Sequence, residues 1–346
     1  MVSVRARVLV TIVDRYAVRV TGGRDTDLIE AAINGPSWDA TRAWVEKGLP
    51  EGDRIAHVER LRGGWTSEMR RLHIIGRRGE RSLVLRSFVK PFYRQHAEGL
   101  LTREADILTL LKNTDVPAAT LQAVDAPAQH CDHPSLLMSL LPGSVRLDEN
   151  GVEQRADLMA RQLVRIHQVQ VTEQTRPRPY QAWTWPERVR MPEDTGRAEL
   201  WHRAVDIIRR DPPDHLACFL HRDFHPGNVL FAETNDGLRI SGIVDWVETS
   251  WGPADLDVAH CSTALTLLHG APAGMLFADR YVAAGGRLTT DPAAHLYWRV
   301  LDALAFAPDA EKVAGPWREL GRTDLTSTLL TSRLEDYLQE LFTRYG

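Results

Sequence analysis

The chain has 346 residues, with 42 lysines and arginines against 46 aspartates and glutamates and a formal charge of −4. That balance excludes a protein that grips nucleic acid through a clustered positive field, and 43% hydrophobic with 25% charged residues excludes a chain disordered throughout. Only Lys47, Lys90, Lys112 and Lys312 are lysines, so nearly every basic side chain is an arginine.

Residues 2–20 alternate Val2, Val4, Ala6, Val8, Val10 and Ile12 with polar side chains, the pattern of a half-buried strand in an N-terminal extension of residues 1–36. The apolar stretch 8–13 is broken by Asp14 and Arg15, too short for a signal or a membrane span. Cys131, Cys218 and Cys261 are scattered without a CxxC pair, which disfavours a disulfide framework or structural zinc. A cytoplasmic protein with neither membrane nor nucleic acid as partner is expected.

Residues 37–47 read as a short helix stopped by Gly48 and Pro50. Strands are expected at 57–61, 69–75 and 82–88, then a helix carrying Leu100, Leu101, Ala105, Ile107, Leu108 and Leu111, then strands near 121–124 and 136–140. Beyond Gly143 helical spacing dominates, at 154–167, 200–210, 258–268, 273–283, 293–306 and 326–342, with a Pro- and Arg-rich loop at 172–195. The one β signal in this half is a hairpin of residues 229–231 and 238–244 around Asn235-Asp236-Gly237.

Residues 219–231, FLHRDFHPGNVLF, place His221, Asp223 and Asn228 on a loop feeding that hairpin, whose second strand ends at Asp245. Phosphoryl transfer from a nucleotide needs one acid to orient the attacking hydroxyl, and an amide oxygen with a second acid to hold a divalent cation.

The spacing His221-x-Asp223-x4-Asn228, followed by Gly242-Ile-Val-Asp245-Trp246, resembles the kinase-like superfamily and within it the aminoglycoside phosphotransferase family. Asp245-Trp246-Val247 stands where protein kinases carry Asp-Phe-Gly, and no Ala-Pro-Glu follows, which sets a protein kinase aside. The resemblance implies an α+β, two-lobed, protein-kinase-like fold. Residues 37–141 would form a small antiparallel β-sheet lobe with one helix that binds nucleotide, and 142–346 a mostly helical lobe with the catalytic loop and acceptor site. It further implies a kinase moving the γ-phosphoryl of ATP, or of GTP, to a hydroxyl of a small molecule such as an aminoglycoside or other antibiotic, with Mg2+ as cofactor.

By the same resemblance Asp223 is the catalytic acid/base, His221 braces its loop, and Asn228 and Asp245 are magnesium ligands. Gly63, Gly64, Thr66 and Ser67 resemble the nucleotide loop. Met138 and Leu140 occupy the linker that binds the adenine edge. Gly252 and Asp257 resemble the family's Gly-x4-Asp-Leu-Ala run, with Val258 replacing its Leu. Asp257 reads as the N-cap of a helix from Val258 that also steadies the catalytic loop.

Arg86 is the departure, since it fills the strand position where the family carries its phosphate-pairing Lys, with Glu104 as the helix glutamate that orients the cation. A guanidinium pairs phosphate oxygens but is larger and less adaptable than an ammonium. Lys90 is the alternative, and Arg86 is preferred because its place in the strand matches.

His225 either faces the acceptor or, the favoured reading, bonds the loop backbone. Trp183 and Trp185 either stack a ring substrate or, as such pairs more often do, pack their loop. Two other functions use the same residues: a catalytically weak nucleotide-binding protein, and a metal-dependent hydrolase with His221, Asp223, His225 and Asp245 as ligands. Residues 247–346 hold thirteen acidic against eight basic side chains, a field that could draw a polycationic acceptor. The sequence chooses neither the acceptor nor an oligomeric state.

Overall fold

Successive side chains of a strand point to opposite faces of its sheet. In β2 (Glu68–Gly76), Leu72 and Ile74 point inward, whereas Arg71 and His73 are partly exposed. The computed structural model describes residues 38–61, 67–77, 79–307 and 310–346. They fall into two compact units, one of residues up to Asp106 with Thr120–Leu140, the other of Ile107–Ala119 with Leu141–Gly346. The expected strand at 2–20 and the loop residues Gly63, Gly64 and Thr66 lie outside the described residues.

The first unit is built on a five-stranded antiparallel sheet. β1 (Arg54–Leu61), β2, β3 (Gly79–Ser87), β4 (Leu121–Asp125) and β5 (Ser135–Ser139) pair in the order β1-β2-β3-β5-β4. Helix α1 (Asp39–Gly48) lays Val45 into a cluster of Ile55, Leu72, Ile74, Leu83, Leu85 and Leu137, against which Trp38 and Trp44 also pack. A polar latch fixes it there: Thr41 donates its backbone N–H and its hydroxyl to Asp132 Oδ2 at 2.9 and 3.0 Å. Helix α2 (Pro91–Leu111) follows β3 and carries Glu104.

The second unit is mainly helical: α3 (Val152–His167), α4 (Ala198–Ile208), α5 (Ala254–His269), α6 (Ala271–Ala283), α7 (Pro292–Leu304), α8 (Glu311–Glu319) and α9 (Ser327–Tyr345). Every residue of α5 from Ala254 to Leu268 is buried, so it is the central rod of this unit. Its Leu267 joins Trp201, Trp298, Leu301, Leu330, Tyr337 and Leu341 in one core cluster. The hairpin of β7 (Val229–Thr234) and β8 (Gly237–Ile243) forms as its Asp-Gly turn demands, with Gly237 at φ 103°.

Two elements correct the sequence reading. A second β pair, β6 (Ala217–Leu220) with β9 (Ser250–Pro253), flanks the hairpin, so the hairpin is not the sole β structure here. Four residues per strand are too few to show a period. Helix α8 also lacked a signal, because Pro316 lies inside it. Among the described residues no helix is long and apolar enough to cross a membrane, and the three cysteines are free thiols.

Where α6 meets α5, Gly274 leaves no space for a side chain: a Cβ would collide with Thr266 Oγ1 and the Ser262 carbonyl. Gly274→Ala is therefore expected to lower stability by about 1–3 kcal/mol. Urea unfolding reads this directly, and an unchanged midpoint would show that the two helices separate freely.

Candidate active site

The candidate residues of the first unit converge on a buried cation. Register places Arg86 of β3 opposite Met69 on one side and Leu136 on the other. Its Nη1 donates to both oxygens of Glu104 at 2.9 Å and its Nε to Ser67 Oγ at 3.0 Å, with the guanidinium lying over the Phe88 ring. Arg86, Glu104 and Ser67 are all buried, and charge-assisted bonds of this length hold the fork in one orientation. Lys90 instead lies past the strand, exposed, where its carbonyl accepts from Tyr93 and Arg94 at the start of α2. Met138 pairs with Val84 and Leu121 inside the sheet, and Leu140 follows, its N–H directed at the Ser82 carbonyl 3.4 Å away.

In the second unit the loop between β6 and β7 holds His221, Asp223 and Asn228. His221 is fully buried, against Trp246 at a ring separation of 4.4 Å. Its Nδ1 accepts from the Asp223 N–H at 3.2 Å, so the proton of the neutral ring sits on Nε2, 3.1 Å from the Val244 carbonyl. Burial pushes this ring below its ordinary pKa, which keeps it neutral. His221 thus ties the loop to the end of β8.

Asp257 is the anchor beneath. Its Oδ2 accepts the His221 N–H at 2.9 Å and its Oδ1 the Arg222 N–H at 2.8 Å, while His167 Nε2 lies 3.1 Å from Oδ2. Burial would raise the Asp257 pKa, but the bond to His167 and the nearby Arg222 guanidinium help to outweigh it and hold it low. The expected N-cap role is corrected: α5 begins at Ala254 after Pro253, so Asp257 lies within its first turn. Its carboxylate serves the catalytic loop and leaves the helix end alone. Gly252 lets β9 pass against the Tyr180 ring.

Asp223 emerges from this frame with its side chain 30% exposed. Asn228 Nδ2 donates to Asp223 Oδ2 at 2.9 Å and to its backbone carbonyl at 2.9 Å, and His260 Nε2 lies 3.1 Å from Oδ1. Burial alone would raise this carboxyl, yet the imidazoles of His225, His260 and His221 leave it well below the ordinary range. His225 is itself pushed down to about 4 by burial, and its Nδ1 accepts the Gly227 N–H at 3.0 Å, so it bonds the loop backbone as favoured.

Asn228 turns its Nδ2 to Asp223, and its Oδ1 is the atom that could ligate a cation. The Val244 N–H bonds the Asn228 carbonyl at 3.0 Å and so brings Asp245 alongside. Two oxygen donors of this kind suit a hard divalent ion such as magnesium. The hydrolase ligand set fares differently. Among the described residues the one group able to close on a metal is Asp223, His225 and His260. His221 uses both ring nitrogens elsewhere, and the Gly227 bond puts the His225 proton on Nε2.

Trp183 packs its loop: the Arg222 guanidinium sits 4.0 Å over its ring and His260 meets it edge-on at 5.0 Å. His260, Asp302 and His167 escaped the sequence reading. The available signal was His260 itself, three residues after Asp257 and so on the same helix face.

A model of the phosphotransferase enzyme family matches residues 57–298, more than half of the chain. No curated protein matches it. Solved structures of similar fold include a provisionally named aminoglycoside phosphotransferase from Ralstonia eutropha JMP134, 18% identical with a TM-score of 0.58, covering 88% of this chain and 99% of that one. Spectinomycin phosphotransferase, in complex with ADP and spectinomycin, is 12% identical with a TM-score of 0.53 over 90% of this chain and 99% of its own. APH(2″)-IIIa, in complex with GDP and kanamycin, is 16% identical with a TM-score of 0.54 over 88% and 99%. At these identities the likeness is one of fold.

Replacing Asp257 with Asn leaves at least one backbone donor of the loop buried without an acceptor. Asp257→Asn is expected to cost about 1–3 kcal/mol for each such donor, read as a lower urea midpoint. A wild-type midpoint would mean that the loop finds other acceptors.

Proposed function

The chain belongs to the phosphotransferase enzyme family and as such is a small-molecule kinase; we propose that it moves the γ-phosphoryl of ATP, or of GTP, to a hydroxyl through Asp223. The observation that carries this reading is the Asp223 carboxylate, clamped at both oxygens yet partly open to solvent, one loop away from the adjacent pair Asn228 and Asp245.

In this reaction the acceptor oxygen forms a bond to the γ-phosphorus while the β–γ bridging bond breaks and its electron pair leaves with the nucleoside diphosphate. The hydroxyl proton passes to Asp223. A carboxylate held well below its ordinary pKa is a weak base, which suits a loose transition state in which the proton moves late. Asp223 therefore acts mainly by aligning the hydroxyl. Asn228 and Asp245 would hold magnesium, which offsets charge on the phosphates when bound. Arg86, fixed by Glu104 and Ser67, is the cation for the nucleotide phosphates, with Gly63, Gly64 and Thr66 in the nucleotide loop and Met138 and Leu140 at the base. The acceptor class is a hydroxyl-bearing antibiotic, since relatives of this fold are solved with spectinomycin and with kanamycin.

Asp223→Ala should lower kcat on the order of 10²- to 10⁴-fold and leave MgADP affinity unchanged; a variant that keeps most activity would remove Asp223 from the chemistry. Arg86→Ala should depress turnover far more than Lys90→Ala, and the opposite ranking would move the phosphate contact to Lys90. Both are read as ADP or GDP release with a panel of aminoglycosides, macrolides, amino alcohols and sugars. Stimulation by sugars alone would overturn the antibiotic assignment.

A further inference from the structure

His260 sits where packing alone would favour a hydrocarbon. It is buried on the central helix α5, between Ala259 and Cys261, with Phe306 stacked on its ring at 5.9 Å and Trp183 perpendicular to it at 5.0 Å. Yet each ring nitrogen reaches a carboxylate: Nδ1 lies 3.1 Å from Asp302 Oδ1 on α7, and Nε2 lies 3.1 Å from Asp223 Oδ1. A neutral imidazole has one N–H and would turn a lone pair toward one of these acceptors, whereas an imidazolium donates to both. Asp302 is nearly inaccessible to water, and its Oδ2 has no hydrogen-bond partner among the described residues. The buried Asp302 side chain therefore depends on His260 for its hydrogen bond.

We infer that His260 is a positioning residue of the transfer reaction: an imidazolium backed by Asp302 that fixes Oδ1 of Asp223 while Asn228 fixes Oδ2, so that the carboxylate meets the acceptor hydroxyl in one orientation. The inference rests on the reading of Asp223 as the acid/base.

The groups that face the ring are Asp302 from α7 and Asp223 and His225 from the catalytic loop, with Arg222 drawn toward Asp302 behind them. His225 is neutral near pH 7, so it does not compete for the charge. Burial alone would push His260 down, but Asp302 and Asp223 outweigh it and hold it up at about 9. The charged arrangement is therefore complete at neutral pH and is lost as pH rises through about 9.

In protein labelled with 15N-histidine, NMR should find both His260 ring nitrogens protonated at neutral pH, with a titration near 9 that moves down in Asp302→Asn. Turnover is read as ADP release with a panel acceptor, or with water as the acceptor where none serves. Wild-type kcat should fall above pH 9, and Asp302→Asn should shift that fall downward with KM for MgATP unchanged. His260→Leu should lower kcat roughly 100-fold. His260→Gln, whose amide donates to Asp223 but carries no charge, should recover part of that loss without the alkaline fall; should the Leu variant fail to fold, the Gln and Asp302→Asn variants carry the test. A His260 neutral at neutral pH, or identical pH profiles in wild type, His260→Gln and Asp302→Asn, would overturn the inference while Asp223→Ala remained inactive and the function reading stood. An active Asp223→Ala would overturn both.

Discussion

One carboxylate that water does not reach holds the catalytic loop in shape. Asp257 accepts the backbone N–H groups of His221 and Arg222 from the first turn of α5. Without it both donors would be buried and unpaired, at about 1–3 kcal/mol each. The same bonds hold Arg222 at a left-handed φ of 75°, a conformation that costs a side-chain-bearing residue about 1 kcal/mol or more. His260 stands one turn further along α5. A single helix thus sets both the path of the loop backbone and the orientation of the carboxylate it carries, and the packing of the core becomes the precision of the site.

The first unit solves a different problem. A lysine would offer the phosphates a compact charge on a flexible stem, free to follow its ligand. Arg86 instead rises from the middle of the sheet with its guanidinium held by Glu104 and Ser67, and with Phe88 beneath. The charge is fixed before any ligand arrives. If Arg86 takes the proposed place beside the nucleotide phosphates, rigidity of this kind would lower the entropy lost on binding and narrow the set of phosphate positions that fit. The scarcity of lysine in this chain has a structural counterpart at the position where a mobile cation would be expected.

Much of the fold was legible because two local signals are strong. Gly76 and Gly79 marked the turn between β2 and β3, and Asn235-Asp236-Gly237 marked the β7–β8 hairpin. The loop residues His221, Asp223 and Asn228 were legible from spacing, and in the structure His221 and Asn228 both hydrogen-bond Asp223. What stayed hidden has physical reasons. β6 and β9 stabilise each other across thirty residues and are too short to show a period. α5 is buried all round, so no polar face delimits it, and its start was placed at Val258, four residues late. His260, Asp302 and His167 come from three different helices, and only tertiary packing unites them with the loop.

The far end of α5 is held as firmly as its start. Arg333 donates to the Leu267 carbonyl and Arg322 to the Leu268 carbonyl, each at 2.8 Å, and Arg322 also reaches the Leu147 carbonyl at 2.8 Å. A helix clamped at both ends cannot fray by itself. The amide hydrogens of His221 and Arg222, bonded to that helix and shielded from water, consequently have no local route to exchange with solvent. They belong to the slowest class in the molecule, released only when the helical core opens as a whole.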